Sequence, residues 1–275
     1  MNAGKEIRMG RLFNVKSKRM VLVTMDHGIC ISPMKEMEEP EKVVAQIVKG
    51  GADAMLLTPG IAKYVCKELS GKISLIMRID GTATSIGPDL TNDELFCSVE
   101  HALSLGADAV ATFGVIGVAR ESELSSKIGK VSEDCEKFGM PQLAEMCPED
   151  MLKNQFSDRV SKREWPSDPE AVKYSARVAV ELGADIIKGY YTGNAKTFRE
   201  VIKYCPAPYV VLGGPASNDP EVFLKFIREA MDCGAAGVSV GRNVWVYKEP
   251  AAMTKAICRI VHDDASAEEA LKEIR

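Results

Sequence analysis

A lysine closes an apolar run in the stretch GADIIKGYYTGN, residues 183–194, where Lys188 follows Ile186 and Ile187. Desolvation at a buried strand end disfavours the ammonium form and leaves more free amine at neutral pH. Such an amine attacks a ketone to give an imine, an electron sink for making or breaking a C–C bond. Imine chemistry also needs groups that carry protons. Candidates stand at the ends of other apolar runs: Asp26 and His27 in TMDHG, Arg78 and Asp80 in MRID, and Glu145 and Cys147 in LAEMCP. Tyr190, two residues beyond the lysine, is a further candidate proton carrier. An isolated strand lysine is more often held in a buried ion pair, here with Glu145 or Asp26, and Asp26 can serve simply as a cap. Two glycine-bearing turns tip the balance toward chemistry, GGPASN (213–218) and GRN (241–243). Gly213, Gly214 and Gly241 let backbone N–H groups approach phosphate oxygens closely, and Arg242 adds a charged donor. His27 and Arg78 are the remaining candidate substrate contacts.

The elements that must position these residues are eight short apolar runs, at 20–26, 53–58, 74–79, 108–114, 141–146, 184–191, 208–214 and 236–242. Their hydrophobicity is continuous rather than alternating, the pattern of parallel strands covered on both faces. Amphipathic segments at 40–50, 92–106, 168–183 and 219–234 open on Pro, Asp or Asn and close on Gly, which is helix punctuation. The tetrapeptides GGAD (50–53), LGAD (105–108), LGAD (182–185) and CGAA (233–236) join helix ends to the second, fourth, sixth and eighth strands. A doubly wound sheet also alternates its elements, but a pair of βα units repeated four times favours closure. The expectation is one α/β domain, a (β/α)8 TIM barrel, with functional groups at the strand C-termini and a phosphate seat after strands seven and eight. Residues 1–19 are expected to cap the N-terminal end of a barrel over 20–275. Residues 147–167 form a long charged insertion after strand five, either a lid or surface decoration.

A net charge of −4 and a pI near 5.6 argue against a nucleic-acid partner. The first twenty residues lack the apolar core of a signal peptide, and no long apolar segment suggests a membrane span. Eight scattered cysteines without a CxxC pair suit neither a zinc ribbon nor a disulfide scaffold, so a reduced, cytoplasmic protein is expected.

The motifs MDHG (25–28), GADIIKGYY (183–191), VVLGGP (210–215) and GVSVGRNVW (237–245) together resemble the archaeal-type class I fructose-bisphosphate aldolase family. That family includes the 2-amino-3,7-dideoxy-D-threo-hept-6-ulosonate synthases and a thiolase acting on the phosphorylated autoinducer-2 signal. The resemblance covers about residues 7–270. It implies a (β/α)8 barrel, an imine-forming Lys188, a catalytic Asp26, a phosphate cradle at Gly213, Gly214, Gly241 and Arg242, no metal or cofactor, and a ring-shaped homo-oligomer. The family's aldolases carry a tyrosine proton donor at the end of strand five, where this chain has Cys147. A Schiff-base aldolase acting on a phosphorylated keto or sugar substrate is therefore expected. The alternatives are a thiolase-like acyl transfer on a phosphorylated diketone and a sugar-phosphate-binding barrel without catalysis.

Overall fold

The structure is a computed structural model that describes residues 2–31, 34–155, 168–213 and 219–274. Its strands are β1 (Met20–Thr24), β2 (Ala54–Leu57), β3 (Ser74–Arg78), β4 (Ala109–Ile116), β5 (Gln142–Pro148), β6 (Ile186–Gly189), β7 (Tyr209–Leu212) and β8 (Gly237–Val240). They run parallel in sequence order, and β8 pairs with β1 to close the barrel. Each strand is buried along its whole length, which is why its apolarity is continuous. Met20, Leu22, Ala54, Leu56, Ile76, Ala111, Leu143, Ile186 and Val210 fill the interior with Leu12, the last residue of the helix Ala3–Leu12. The alternate residues, such as Val21, Met55 and Met77, pack outward against the helical layer.

The tetrapeptide repeat has a twofold explanation. Gly51, Gly106, Gly183 and Gly234 all take positive φ, the left-handed turn that ends a helix and that a side chain would strain. The following aspartates do work that composition alone does not suggest. Asp53, Asp108 and Asp185 accept the backbone N–H of Val21, Leu75 and Gln142 at the start of the preceding strand, at 2.7, 3.2 and 2.8 Å. The fourth repeat has Ala236 in this position, and only its backbone N–H reaches back, to Tyr209 O at 2.8 Å.

Two boundaries differ from the expectation. A helix over 92–106 is found only as Val99–Ser104, capped by Ser98, whose hydroxyl accepts from His101 N. Residues ahead of it run back along the end of β3: Phe96 N and Cys97 N both donate to Ile79 O, and Asp80 bridges Leu95. The second difference concerns β5, which continues through Cys147 and Pro148 because β4 is long enough to pair with both. The insertion expected at 147–167 therefore starts later, with a helix Glu149–Gln155. The rest of that candidate lid, 156–167, lies outside the described residues. Among the described residues no helix is long and apolar enough to cross a membrane.

Candidate active site

Side chains on the inner face of a strand alternate, so the residues two positions beyond the inner apolar layer point into the barrel mouth. Ile186 leads to Lys188, Leu143 to Glu145, Ile76 to Arg78 and Leu22 to Thr24, and all four outer members line one cavity. Register places Lys188 directly beside Glu145 and Glu145 beside Phe113. Asp26, His27 and Cys30 line the cavity from the segment after β1, with Gly213 after β7 and Ser239, Gly241, Arg242 and Asn243 from β8 and its following turn.

Lys188 Nζ lies 2.8 Å from Glu145 Oε2, with side-chain exposures of 4% and 2%. The buried ion pair, one of the alternatives read from the sequence, is formed with Glu145, and it sets the lysine amine in the barrel mouth. Arg78, expected as a substrate contact, lines the cavity and turns its nitrogens to carboxylates. Its Nε meets Asp26 Oδ2 at 2.9 Å, its Nη1 meets Asp80 Oδ1 at 3.3 Å, and its Nη2 forms a short hydrogen bond to Glu145 Oε2. All three nitrogens face carboxylates, so this guanidinium holds the acids of the site together. Burial pushes the Asp26 carboxyl up, but Arg78, Lys188 and His27 outweigh it and hold the group below its usual range. Glu145 follows the same logic: burial raises it, Lys188 and Arg78 lower it further than Asp26 raises it, and the net direction is down. Both acids are therefore carboxylates across the neutral range.

Cys147 and Tyr190, expected as proton carriers, are brought together but are not among the residues that line this cavity. Cys147 Sγ lies 3.6 Å from Tyr190 OH and 3.3 Å from Pro148 O, fully buried. The thiol that does face the cavity is Cys30, and burial together with the Asp26 charge pushes it up to about 12, so it stays protonated.

The glycine-bearing rim is built by close packing. A Cβ on Gly241 would stand 2.7 Å from both His27 Cε1 and Thr24 Oγ1. Trp245 Nε1 donates to Thr24 O at 3.0 Å, and its ring meets His27 edge-on at 5.5 Å, tying the turn after β8 to the end of β1. Asn243 Nδ2 donates to Gly213 O at 2.9 Å and couples the two expected halves of the cradle. Gly214 lies outside the described residues. Gly241→Ala is expected to cost about 1–3 kcal/mol of stability through overpacking, and to raise the KM for a phosphorylated ketone about tenfold as the rim shifts. Thermal unfolding and steady-state kinetics measure the two effects.

Two charged residues of the site were missed at the level of sequence. Asp93 lines the cavity, and Lys127 stands behind it, 2.7 Å from Asp80 Oδ2 and 3.4 Å from Asp93 Oδ1. Asp93 was hidden by the overlong helix expectation. Lys127 had a usable signal, since it falls on the same stripe as Leu124, Ile128, Val131 and Cys135 of the helix Glu121–Phe138, all buried.

The chain matches the description "DeoC/LacD family aldolase" over residues 20–247. It is 37% identical to an uncharacterized aldolase of Saccharolobus solfataricus over 99% of both chains. It is 34% identical to the 2-amino-3,7-dideoxy-D-threo-hept-6-ulosonate synthase of Halobacterium salinarum, covering 98% of this chain and 96% of that one. A solved Schiff-base-forming fructose-1,6-bisphosphate aldolase superposes with a TM-score of 0.81 at 31% identity, over 94% of this chain and 100% of that one.

Proposed function

Because the chain belongs to the DeoC/LacD aldolase family, we propose that it makes or breaks a C–C bond in a phosphorylated keto or sugar substrate through an imine on Lys188. It is a class I aldolase-type enzyme, and the observation that carries the assignment of the lysine is its buried Nζ, 2.8 Å from Glu145 in the barrel mouth. In this reading Glu145, 2.8 Å away, takes a proton from the ammonium, which frees the amine to attack the substrate carbonyl. Asp26, held ionised by Arg78, is the base for the proton of the hydroxyl adjoining the bond that breaks. Gly213, Gly241, Arg242 and His27 form the rim that receives the phosphate, which fixes the carbonyl over Nζ.

The burial of Cys147 against Tyr190 speaks against a thiolate nucleophile, so aldol chemistry is preferred to acyl transfer. The eight cysteines are all free thiols, in keeping with a reducing, cytoplasmic setting, and a homo-oligomeric ring is the assembly to test by native mass spectrometry.

Imine formation acidifies the neighbouring C–H, so the enzyme should exchange one α-hydrogen of dihydroxyacetone phosphate with D2O, without an aldehyde partner and undiminished by EDTA. Proton NMR of the recovered ketone reads the exchange. Absence of exchange with ketones that bind would remove the imine assignment, and product formation that requires coenzyme A would favour the acyl-transfer alternative.

A further inference from the structure

The ionic groups of the site form one connected chain. Asp93 meets Lys127, Lys127 meets Asp80, Asp80 meets Arg78, Arg78 meets Asp26 and Glu145, and Glu145 meets Lys188. That chain holds four carboxyls against three cations, and none of these side chains is more than 13% exposed. An uncompensated charge buried this deeply is costly, so among these described groups the carboxyl in excess favours its protonated form. His27, with Nδ1 3.7 Å from Asp26 Oδ1, adds a cation only when it is itself protonated.

The weakest-paired carboxyl is the one best suited to hold a proton. Asp80 has two cations and the backbone N–H of Phe113 at 2.7 Å. Glu145 has two cations, and Asp26 has Arg78 at 2.9 Å. Among the described residues Asp93 is paired with Lys127 alone, at 3.4 Å, and shares that ammonium with Asp80. It also lines the cavity that contains Lys188.

Resting on the imine assignment above, we infer that Asp93 is a further acid–base residue of this site, which stores the cluster's proton and gives it to the substrate oxygen that departs as water. The steps balance. The ammonium proton passes to Glu145, the amine adds to the carbonyl, and a proton shift from nitrogen to oxygen gives the neutral carbinolamine. Its hydroxyl takes the Asp93 proton and leaves as water while the nitrogen lone pair closes the C=N bond, so the products are an iminium ion, water and the Asp93 carboxylate. Ammonium plus ketone contain the same atoms as iminium plus water, and the cycle closes when Glu145 gives its proton to solvent and Asp93 takes one back in the cavity that both line. Hydrolysis reverses each step. Burial, followed by the Asp80 charge, pushes Asp93 up to about 7 against the pull of Lys127 and Arg78, which suits an acid that gives and recovers a proton near neutrality. The charged groups facing it are Asp80 and Arg78 from the end of β3 and Lys127 from the helix after β4. Arg120 contacts Asn92 and Glu94 on the exposed side of the same segment.

The test uses dihydroxyacetone phosphate and the rate of solvent deuterium exchange as a function of pH. The wild type should lose rate as pH rises through about 7. Asp93→Asn should slow exchange about 100-fold at pH 6 and abolish that limb, whereas Asp93→Glu keeps it. An Asp93→Asn enzyme that exchanges at the wild-type rate with the same limb, and is still trapped by borohydride on Lys188, overturns the role of Asp93 and leaves the imine intact. A wild type that is never trapped removes the imine assignment instead. Should Asp93→Asn fail to fold, an infrared titration of the protein decides: a carboxyl that loses its proton near neutrality and shifts in Asp93→Glu supports the proposal, and none titrating there overturns it.

Discussion

Lys188→Met is expected to lower turnover of a phosphorylated ketone substrate by a factor on the order of 10^4 to 10^6, the scale seen when a covalent nucleophile is removed. The barrel should still form, because Glu145 keeps its hydrogen bond to Arg78 when the lysine is gone. Lys188→Arg separates the observed ion pair from the proposed imine role of this position. It keeps a cation beside Glu145, yet a guanidinium is always protonated and does not form an imine. An equal loss of turnover in both variants identifies the amine as the reacting group. Activity retained in Lys188→Arg would mean that the position supplies charge alone.

The largest effect on stability is expected from Arg78→Met. One guanidinium holds Asp26, Asp80 and Glu145, and deleting it leaves buried carboxylates without their common partner. Breaking such a buried arrangement costs about 3–5 kcal/mol at neutral pH. The pH dependence gives the mechanism its signature. Asp26 and Glu145 titrate below their ordinary values in the wild type, so their stabilising contribution is complete above pH about 4 and is lost only as pH falls through the lowered values. Without Arg78, the push from burial is opposed by less charge and the carboxyls titrate higher. The deficit of Arg78→Met should therefore be greatest at pH 7–8 and shrink toward pH about 5 as these groups take up protons. Urea unfolding across that range measures it, and a deficit independent of pH would show that lost packing, not charge, is responsible.

The barrel was legible because each level of the sequence pointed to it. Continuous apolarity in runs such as 20–26 and 208–214 follows from burial on both faces, and the helix-ending glycines recur before every second strand. Lys188, Glu145 and Asp26 were legible for a related reason, since alternation along a strand of known direction fixes which residues enter the mouth. Arg78 was found without its partners, because sequence reveals a charge and not the three carboxylates that converge on it from just past the ends of β1 and β3 and from β5. Asp93 was lost because Asn92, Asp93 and Glu94 look like a helix start, whereas pairing with the end of β3 delays the helix to Val99. Cys147 shows the opposite limit. Its spacing from Glu145 suggested the cavity, but its thiol is spent on Tyr190 and Pro148.

The most direct test of the central claim is to add borohydride to the enzyme with dihydroxyacetone phosphate and locate the reduced adduct by peptide mass spectrometry. The imine mechanism requires one adduct per chain, on the peptide carrying Lys188, and none when the ketone is omitted. An adduct on another lysine, or no adduct with a ketone that the enzyme demonstrably turns over, would contradict it.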